Sequence, residues 1–249
     1  MIGNAQIRLI VVIGCVMALE LACRAGLISS FTIIPPSEMV MSLIEVLQSP
    51  SILGHIVTSA LNILVAVVVT IVSGFILGLL IHRVPRLREV LDPVMTSYYA
   101  IPVFALYPLF VVIFGAGNVA IIVMGVLLGL PSMILATWEG VDNIPPVFNK
   151  VAQSFHMSAA STAFWMKLPA AAPYLFTGVR LTVAYSFIGI IASEFILSGS
   201  GIGFAIAFAY NSFDTRGMYG LILFLMVFVT LLNVALHIWD KHLEMRRLR

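Results

Sequence analysis

The hydrophobic pattern of the chain consists of long apolar runs separated by short polar segments. A helix of about 20 apolar residues crosses a bilayer core. The pattern therefore predicts an all-α fold, a polytopic membrane bundle of six transmembrane helices in a single domain covering residues 1–249. The predicted spans cover residues 9–28, 59–81, 94–114, 119–138, 171–197 and 218–238.

The segments between these spans differ in length and character. In the segment 29–58, two prolines precede SEMVMSLIEVL, which has the start signals and apolar spacing of a short amphipathic helix. Residues 115–118 leave room only for a tight turn. The first run, 9–28, is long for the core of a signal peptide and has one basic residue before it, so we predict a retained helix.

Composition strengthens the membrane prediction. The chain is 61% hydrophobic and 10% charged, whereas a soluble domain is about 25% charged. Its two cysteines, Cys15 and Cys23, share the first apolar run, and their spacing predicts packing rather than a disulfide or metal site. The five histidines are scattered singly. We predict no metal site and no nucleic-acid binding.

The lysines and arginines of the short loops predict the orientation, because such residues concentrate in cytoplasmic loops. With the N-terminus inside, only Arg24 and Arg216 fall on the outer side. Both termini and the loop 139–170 are therefore predicted to be cytoplasmic. The cytoplasmic basic residues are then Arg8, Arg83, Arg86, Arg88, Lys150, Lys167, Lys241, Arg246, Arg247 and Arg249.

The cytoplasmic stretch 150–169, KVAQSFHMSAASTAFWMKLP, is a polar, alanine-rich segment between two apolar runs. It predicts a short helix that lies across the membrane surface. Such a helix could dock into a groove of a partner protein or rest on lipid headgroups. The residues alone leave both alternatives open.

Two charges fall within the fifth span. Arg180 lies about 16 Å along that helix from Pro169, where a charge costs about 2.5–3.5 kcal/mol unless it faces protein or water. One stripe of the helix carries Arg180, Ala184, Phe187, Ile191 and Glu194. This stripe predicts a path-lining helix, with Arg180 attracting an anion and Glu194 at an outer gate. Alternatively, backbone carbonyls or a neighbouring helix satisfy each charge. The opposite stripe of small residues predicts close helix packing: Thr182, Ser186, Gly189 and Ser193.

Prolines within the third and fourth spans each remove a helical hydrogen bond, so they predict kinks that widen a cavity or act as hinges. Nearby tyrosines could line the path or simply pack. On the first span, Glu20 and Arg24 have the spacing of a local helical ion pair. The prolines and tyrosines concerned are Pro102, Pro108, Pro131, Tyr98, Tyr99 and Tyr107.

The cytoplasmic loop also resembles a known signature. Permeases of binding-protein-dependent ABC importers carry Glu-Ala-Ala, three residues, Gly, nine residues and Ile-x-Leu-Pro. Aligned on Pro169, this register puts Ala152 on the second alanine, Lys150 on the glutamate, His156 on the glycine and Met166 on the isoleucine. The signature is therefore partly eroded in this chain.

Two further segments resemble the branch of that family that imports sulfonates, taurine and nitrate. They are IPVFALYPLFVVIFGAG, residues 101–117, and LPAAAPYLFTGVRLTVAYSFIGIIASEFILSGSGIG, residues 168–203. The resemblance extends over nearly the whole chain from residue 35. It implies the type I importer permease fold, with the loop 139–170 as the coupling loop, in a bacterial plasma (inner) membrane.

The resemblance also implies function and partners. A coupling helix would dock on two ATPase subunits that bind ATP and Mg²⁺, so this chain would be no enzyme and hold no cofactor of its own. An extracytoplasmic solute-binding protein would deliver a small, usually anionic solute, such as a sulfonate, taurine, nitrate, bicarbonate or aromatic carboxylate, to the outer loops 29–58 and 198–216. The implied coupling residues are Ala152, Gln153, Ser154, Phe155, His156, Met157, Ser158, Ala159 and Ala160.

The eroded signature bears on the second permease of the assembly. Lys150 reverses a charge, and we expect that His156 cannot reproduce the backbone freedom of glycine. Either the ATPase has adapted, or this chain pairs with a second permease that carries a fuller signature. We prefer a homodimer over a heterodimer.

Other function classes fit the sequence less well. A self-sufficient secondary transporter or channel would need coupling-ion groups at the midplane, and a membrane enzyme would need paired carboxylates or a nucleophile beside a base. The glycines of 199–203 follow a membrane helix rather than a strand, so they predict a tight outer turn and not a nucleotide loop. The path candidates are Arg180, Glu194, Tyr98, Tyr99, Pro102 and Phe187.

Overall fold

The computed structural model describes residues 4–29 and 31–247, and within these ranges the chain is helical, without strands. This confirms the all-α fold class. The predicted Arg249 of the cytoplasmic tail lies outside the described residues. The helices are α1 Asn4–Arg24, α2 Pro36–Gln48, α3 Pro50–His82, α4 Pro85–Ser97, α5 Tyr107–Phe114, α6 Asn118–Asp142, α7 Val147–Ser154, α8 Ala159–Thr162, α9 Leu168–Leu197, α10 Ile202–Asn211 and α11 Thr215–Arg247.

Four helical stretches in the described part are long and apolar enough to cross a membrane: Pro50–His82, Asn118–Asp142, Ala159–Ile196 and Thr215–Leu236. A fifth crossing is available if a pair of bent helices counts as one span. Helix α1 covers most of the predicted first span, and its apolar side chains, such as Ile10 and Leu21, are exposed. The number of six spans remains a prediction.

The centre of the molecule is the contact of α6 with α3 on one side and α9 on the other. Small residues bring these helices together. A Cβ atom on Gly78 of α3 would lie 2.7 Å from Thr137 Cβ, and one on Gly189 of α9 would lie 2.8 Å from Gly125 Cα. The predicted small-residue stripe of α9 packs in this contact, and its members Thr182, Ser186 and Ser193 are fully buried. Such close approach replaces the hydrophobic effect, which does not operate between helices in lipid.

The third span predicted over residues 94–114 is not one continuous helix, and the kink expected at its prolines is a break. Helix α4 ends at Ser97, two short 3-10 turns follow at Tyr98–Ala100 and Val103–Leu106, and α5 begins at Tyr107. The two halves of this region are bent by 88°. Pro102 lies in the break, whereas Pro108 stands in the first turn of α5, where a proline costs no hydrogen bond. Only Pro102 therefore marks a change of direction.

Two short elements behave as predicted. The amphipathic helix of the segment 29–58 is α2, which starts on Pro36. The turn between α5 and α6 opens on Gly115, whose φ of +83° is in the left-handed region that favours glycine. Helix α10, by contrast, was not predicted: it forms within the supposed outer loop 198–216 and packs against α9, α11 and α3.

The Glu20–Arg24 pair forms as predicted, with 2.6 Å between Arg24 Nε and Glu20 Oε1. Glu20 does more than pair locally. Its carboxylate accepts hydrogen bonds from the backbone N–H of Ser37 at 3.0 Å and from Ser37 Oγ at 2.7 Å. It thereby satisfies a free N–H at the start of α2 and joins α1 to that helix.

Candidate functional site

One face of α9 is open in the single chain. Leu181, Ile188 and Phe195 along this face are 43–51% exposed, and Arg180 is exposed with them. The guanidinium of Arg180 has no ion-pair or hydrogen-bond partner among the side chains that the structure describes. The opposite face is sealed against α6. Arg180 is therefore the charged group of a face that the chain itself leaves uncovered.

The break in the third span borders this open face. Tyr99 stacks on Tyr185 of α9 with 4.5 Å between ring centroids, and Tyr98 contacts Tyr99 edge-on. Tyr185 is about 26 Å from the start of α9 and about 18 Å from its end, so the break lies at the depth of the hydrocarbon core. Tyr99 and Pro102 are both exposed.

Non-helical backbone at membrane depth has peptide groups outside regular helical bonding. Lipid cannot satisfy such groups, so they occur only against protein or a water-filled cavity. The broken segment and Arg180, on the adjoining open face of α9, thus form one surface that is unsuited to lipid. The path candidates Tyr99, Pro102 and Arg180 all lie on it.

Two other path candidates have a different environment. Phe187 is 6% exposed and stacks on Phe228 of α11 with centroids 6.1 Å apart. Glu194 is fully buried near the end of α9. The structure therefore does not bring these two together with Arg180 on the open face, although all three share the sequence stripe.

Glu194 organises a set of contacts at the end of the bundle that is predicted to face outward. We call this set the outer knot: Glu194, Ser59, Asn62, Ile202 and Gly203. The carboxyl group accepts hydrogen bonds from Ser59 Oγ at 2.6 Å, from Asn62 Nδ2 at 3.3 Å and from the Gly203 N–H at 3.2 Å. Ser59 Oγ in turn accepts from the Ile202 N–H at 2.7 Å. The knot joins α3, α9 and the start of α10.

The sequence contained a signal for this knot. Ser59 and Asn62 are polar residues three positions apart on a mostly apolar helix, which places both on one face. Glycines at the start of α10 serve the same contact. Gly201 has a φ of +103°, and a Cβ on Gly203 would lie 2.7 Å from Glu194 Cβ. The predicted tight turn is therefore correct, and its location on the outer side remains a prediction.

At the opposite end, which is predicted to be cytoplasmic, Arg88 of α4 forms a two-pronged ion pair with Asp142 at the end of α6. Arg88 Nη1 lies 2.8 Å from Asp142 Oδ1, and Nη2 contacts Oδ2. The guanidinium also lies 5.6 Å from the ring centre of Trp138, whose Nε1 donates to the Gly78 carbonyl at 3.0 Å. This inner clamp, Arg88 with Asp142, holds α4 to the central helices and was missed at the sequence level.

The loop 139–170, which is predicted to be cytoplasmic, differs in structure from its prediction. The single helix expected over 152–160 is wrong: α7 ends at Ser154, and α8 begins only at Ala159. Between them His156 adopts φ +49°. The Met157 N–H donates to the Ala152 carbonyl at 2.9 Å and the His156 N–H to the Gln153 carbonyl at 3.0 Å. This is the Schellman ending of a helix, in which the left-handed position is usually glycine.

The expectation that His156 cannot reproduce the turn of a glycine is therefore wrong. Histidine is one of the residues that enter this region more readily than most, at a modest cost in free energy. After the turn, Ser158 caps α8, since its Oγ accepts from the Ser161 N–H at 3.1 Å. Phe155 is 75% exposed at the tip of the loop, whereas Ala152 is buried.

The remaining coupling candidates lie around this turn, and most are exposed: Gln153, Ser154, Ser158, Ala159 and Ala160. After α8 the chain forms a π turn, Ala163–Lys167, and runs directly into α9. Among the described residues, no group of three or more His, Cys, Asp or Glu side chains could hold a metal ion.

The chain is similar in sequence to known membrane transport proteins. A family model described as "Binding-protein-dependent transport system inner membrane component" matches residues 70–249. The chain is 32% identical over 158 residues to the nitrate import permease protein NrtB of Leptolyngbya laminosa, a match covering 64% of this chain and 57% of that relative. It is 25% identical over 222 residues to the taurine transport system permease protein TauC of Escherichia coli, covering 87% and 81%.

Among solved structures, a chain of the MetNI methionine ABC transporter in an inward-facing conformation has the same fold. The TM-score is 0.61 at 18% identity, and the superposition covers 79% of this chain and 99% of that one. The match to the nitrate permease spans somewhat more than half the length of that relative.

Proposed function

The chain belongs to the family of binding-protein-dependent transport system inner membrane components, and from this membership we propose that it forms half of the membrane path of an ABC importer for a small anionic solute. The family consists of transport permeases rather than enzymes, and its members are multi-pass proteins of the bacterial plasma membrane. The solute, the partners and the role of each residue belong to the proposal.

The broken third span beside the open face of α9 is the observation that carries the proposal. A surface with irregular backbone and an uncovered arginine needs water or protein against it. A second permease placed across this surface would enclose a polar path between the two chains. Tyr99, Pro102 and Arg180 would line that path, while Phe187 and Glu194 would support it from behind.

Arg180 supports an anionic solute. Its side chain has no acidic partner among the described side chains, so its charge is available to a ligand. A guanidinium offers planar, two-pronged recognition of oxyanions. Nitrate is an oxyanion and taurine carries a sulfonate, and these solutes are named for two of the relatives.

The exposed tip of the cytoplasmic loop supports docking on ATPase subunits. Phe155 and the turn at His156 project from the end of α7, which suits insertion into a cleft of a partner. ATP and Mg²⁺ would be bound by those subunits. Because α8, the π turn and α9 form one continuous helical stretch, Ala159–Ile196, a push on the loop would reach Arg180 directly and favour a rigid-body switch between inward-facing and outward-facing states.

His156 also favours a homodimer over a heterodimer. A partner with a fuller signature would be needed if this chain were unable to make the glycine-type turn. Its own histidine makes that turn, with φ +49°. Two copies can then each present a complete loop to an ATPase subunit.

At the outer end, a solute-binding protein would dock on the segments 29–58 and 198–216. Three aromatic side chains of the second segment support this proposal, because Phe208, Tyr210 and Phe213 are 63–88% exposed. Exposed aromatic residues are typical of protein interfaces.

Solute uptake by proteoliposomes that contain the chain with its ATPase and solute-binding protein tests the proposal. We expect Arg180→Ala to lower uptake by about tenfold or more, Arg180→Lys to retain part of it, and Arg86→Ala, which removes an exposed cation elsewhere, to leave it unchanged. Assembly with the ATPase should be normal in all three variants. Equal uptake by Arg180→Ala and the unaltered chain would contradict the proposal, as would transport by the chain alone driven by an ion gradient.

A further inference from the structure

A groove opens at the cytoplasmic end of the bundle, between the end of α3 and the π turn that precedes α9. Its volume is about 610 Å³. Its rim carries His82 and Arg83 from α3 and Lys167 from the π turn, and its walls include Phe75, Leu79 and Leu175. None of the described residues that line it is acidic.

The polar and apolar parts of this groove are separated along the membrane normal. Arg83 follows the last residue of α3, and Lys167 immediately precedes α9. Phe75 and Leu175 each lie eight residues further into their helices, about 12 Å from the rim. The groove is therefore basic at its mouth and apolar over most of the roughly 15 Å depth of one hydrocarbon leaflet.

The two cations at the rim are free to meet a ligand. Neither Arg83 nor Lys167 forms an ion pair or a side-chain hydrogen bond among the side chains that the structure describes. The nearby carboxylate of Asp142 is already bound by Arg88. The basic charge of the mouth is therefore not neutralised within the chain.

The π turn places aromatic residues at the same level. Phe164 and Trp165 contact each other edge-on and are 62% and 71% exposed. Exposed tryptophan is typical of the headgroup region of a membrane. A π turn within a helix is frequent at functional sites, since it redirects side chains that a regular helix would place elsewhere.

We propose that this groove is a binding site for one anionic phospholipid of the cytoplasmic leaflet. The phosphate lies between Arg83 and Lys167, and one acyl chain extends along Leu79 and Leu175. Charge complementarity at the mouth and the apolar depth below it select a phospholipid over a soluble phosphate compound, which would leave the apolar walls uncovered. Basic pockets between membrane helices on this side bind anionic headgroups by the same chemistry.

The proposal is tested on the full-length, delipidated chain in non-ionic detergent by native mass spectrometry during titration with phosphatidylglycerol. We expect one tightly bound lipid, and at least about tenfold weaker binding of phosphatidylcholine. The double variant Arg83→Gln, Lys167→Gln should bind phosphatidylglycerol about 25-fold more weakly, since each cation contributes about fivefold. The matched control is Arg86→Gln, Lys150→Gln, which removes the same charge on the same side outside the groove and should bind normally.

A second variant tests the apolar wall without a change of charge. Leu175→Trp should fill the lower groove and weaken the binding of phosphatidylglycerol by about tenfold, with an unchanged elution volume on size exclusion. Glycerophosphoglycerol, the headgroup without acyl chains, should not displace the lipid.

The proposal is overturned if the groove and control double variants bind equally, if phosphatidylcholine binds as tightly as phosphatidylglycerol, or if the free headgroup competes fully. Because the measurement is lipid binding by the chain alone, its outcome is separate from that of the uptake experiment.

Discussion

The outer knot and the inner clamp hold opposite ends of the bundle through a carboxyl group, but by different means. Glu194 of the knot is fully buried, and its hydrogen-bond donors are a hydroxyl, an amide and a backbone N–H. Asp142 of the clamp is 41% exposed and is bound by the charged Arg88. A buried acceptor with neutral donors is insensitive to salt, whereas an exposed ion pair is screened. We infer that the knot keeps its end of each chain rigid, whereas the helices joined by the clamp can rearrange more easily.

The largest expected effect follows from removal of the knot's acceptor. Glu194→Ala leaves the Ser59 hydroxyl, the Asn62 amide and the Gly203 N–H buried without their partner, so we expect a loss of roughly 3–5 kcal/mol in the free energy of unfolding. Reversible unfolding of the purified chain in mixed micelles measures it. Glu194→Gln keeps the shape and one acceptor and should lose less. If the alanine variant matched the unaltered chain, the knot would have no structural role.

A second substitution tests the knot from its glycine side. Gly203→Ala places a Cβ 2.7 Å from Glu194 Cβ and against the Ile191 carbonyl. We expect a loss of about 1–3 kcal/mol through overpacking, together with faster hydrogen exchange at the start of α10. Gly199→Ala is the matched control, because nothing lies within 4 Å of the added atom. Equal losses in the two variants would refute the close contact.

The inner clamp should contribute less. Asp142→Asn removes a partly exposed ion pair, for which we expect a loss of about 1 kcal/mol or less. The loss should shrink between 0.1 and about 1 M salt, where the screening length falls to about 3 Å. The loss in Glu194→Ala should stay constant over the same range. The comparison between the two ends would be contradicted if the loss in Glu194→Ala depended on salt, or if the loss in Asp142→Asn did not.

The smallest effect concerns the turn of the cytoplasmic loop. His156→Gly should raise the free energy of unfolding by about 0.5 kcal/mol, because glycine adopts φ +49° without strain. His156→Val should lower it by about 1 kcal/mol or more, since β-branched residues are disfavoured there. Thermal unfolding of the three proteins is the measurement. A glycine variant less stable than the valine variant would exclude the left-handed turn.

Hydrophobic periodicity and the positions of proline and glycine were sufficient to predict the elements that depend on neighbouring residues. The proline start of α2 and the glycine turn at Gly115 depend on residues close in sequence. The stripe of small residues on α9 could be predicted because the helical period of 3.6 residues is independent of the partner helix. The membership of the family was also visible, in the loop register and in the segments 101–117 and 168–203.

The structural features that were not predicted depend on contacts between distant parts of the chain. Pro102 predicted a kink in 94–114, but the hydrophobicity of this region is the same whether the backbone is kinked or broken, so the size of the 88° bend could not be predicted. The outer knot joins Ser59 and Glu194, which are 135 residues apart. At His156, the expectation relied on residue preference alone, and the hydrogen bonds of the Schellman ending outweighed it.

The uncovered Arg180 affects the stability of the chain in the membrane before it assembles with its partners. A solitary copy in the bilayer exposes this cation at mid-depth, at a cost of about 2.5–3.5 kcal/mol on insertion scales. Whatever finally covers the face removes that penalty. We therefore expect a solitary copy to be less stable in the bilayer than an assembled one.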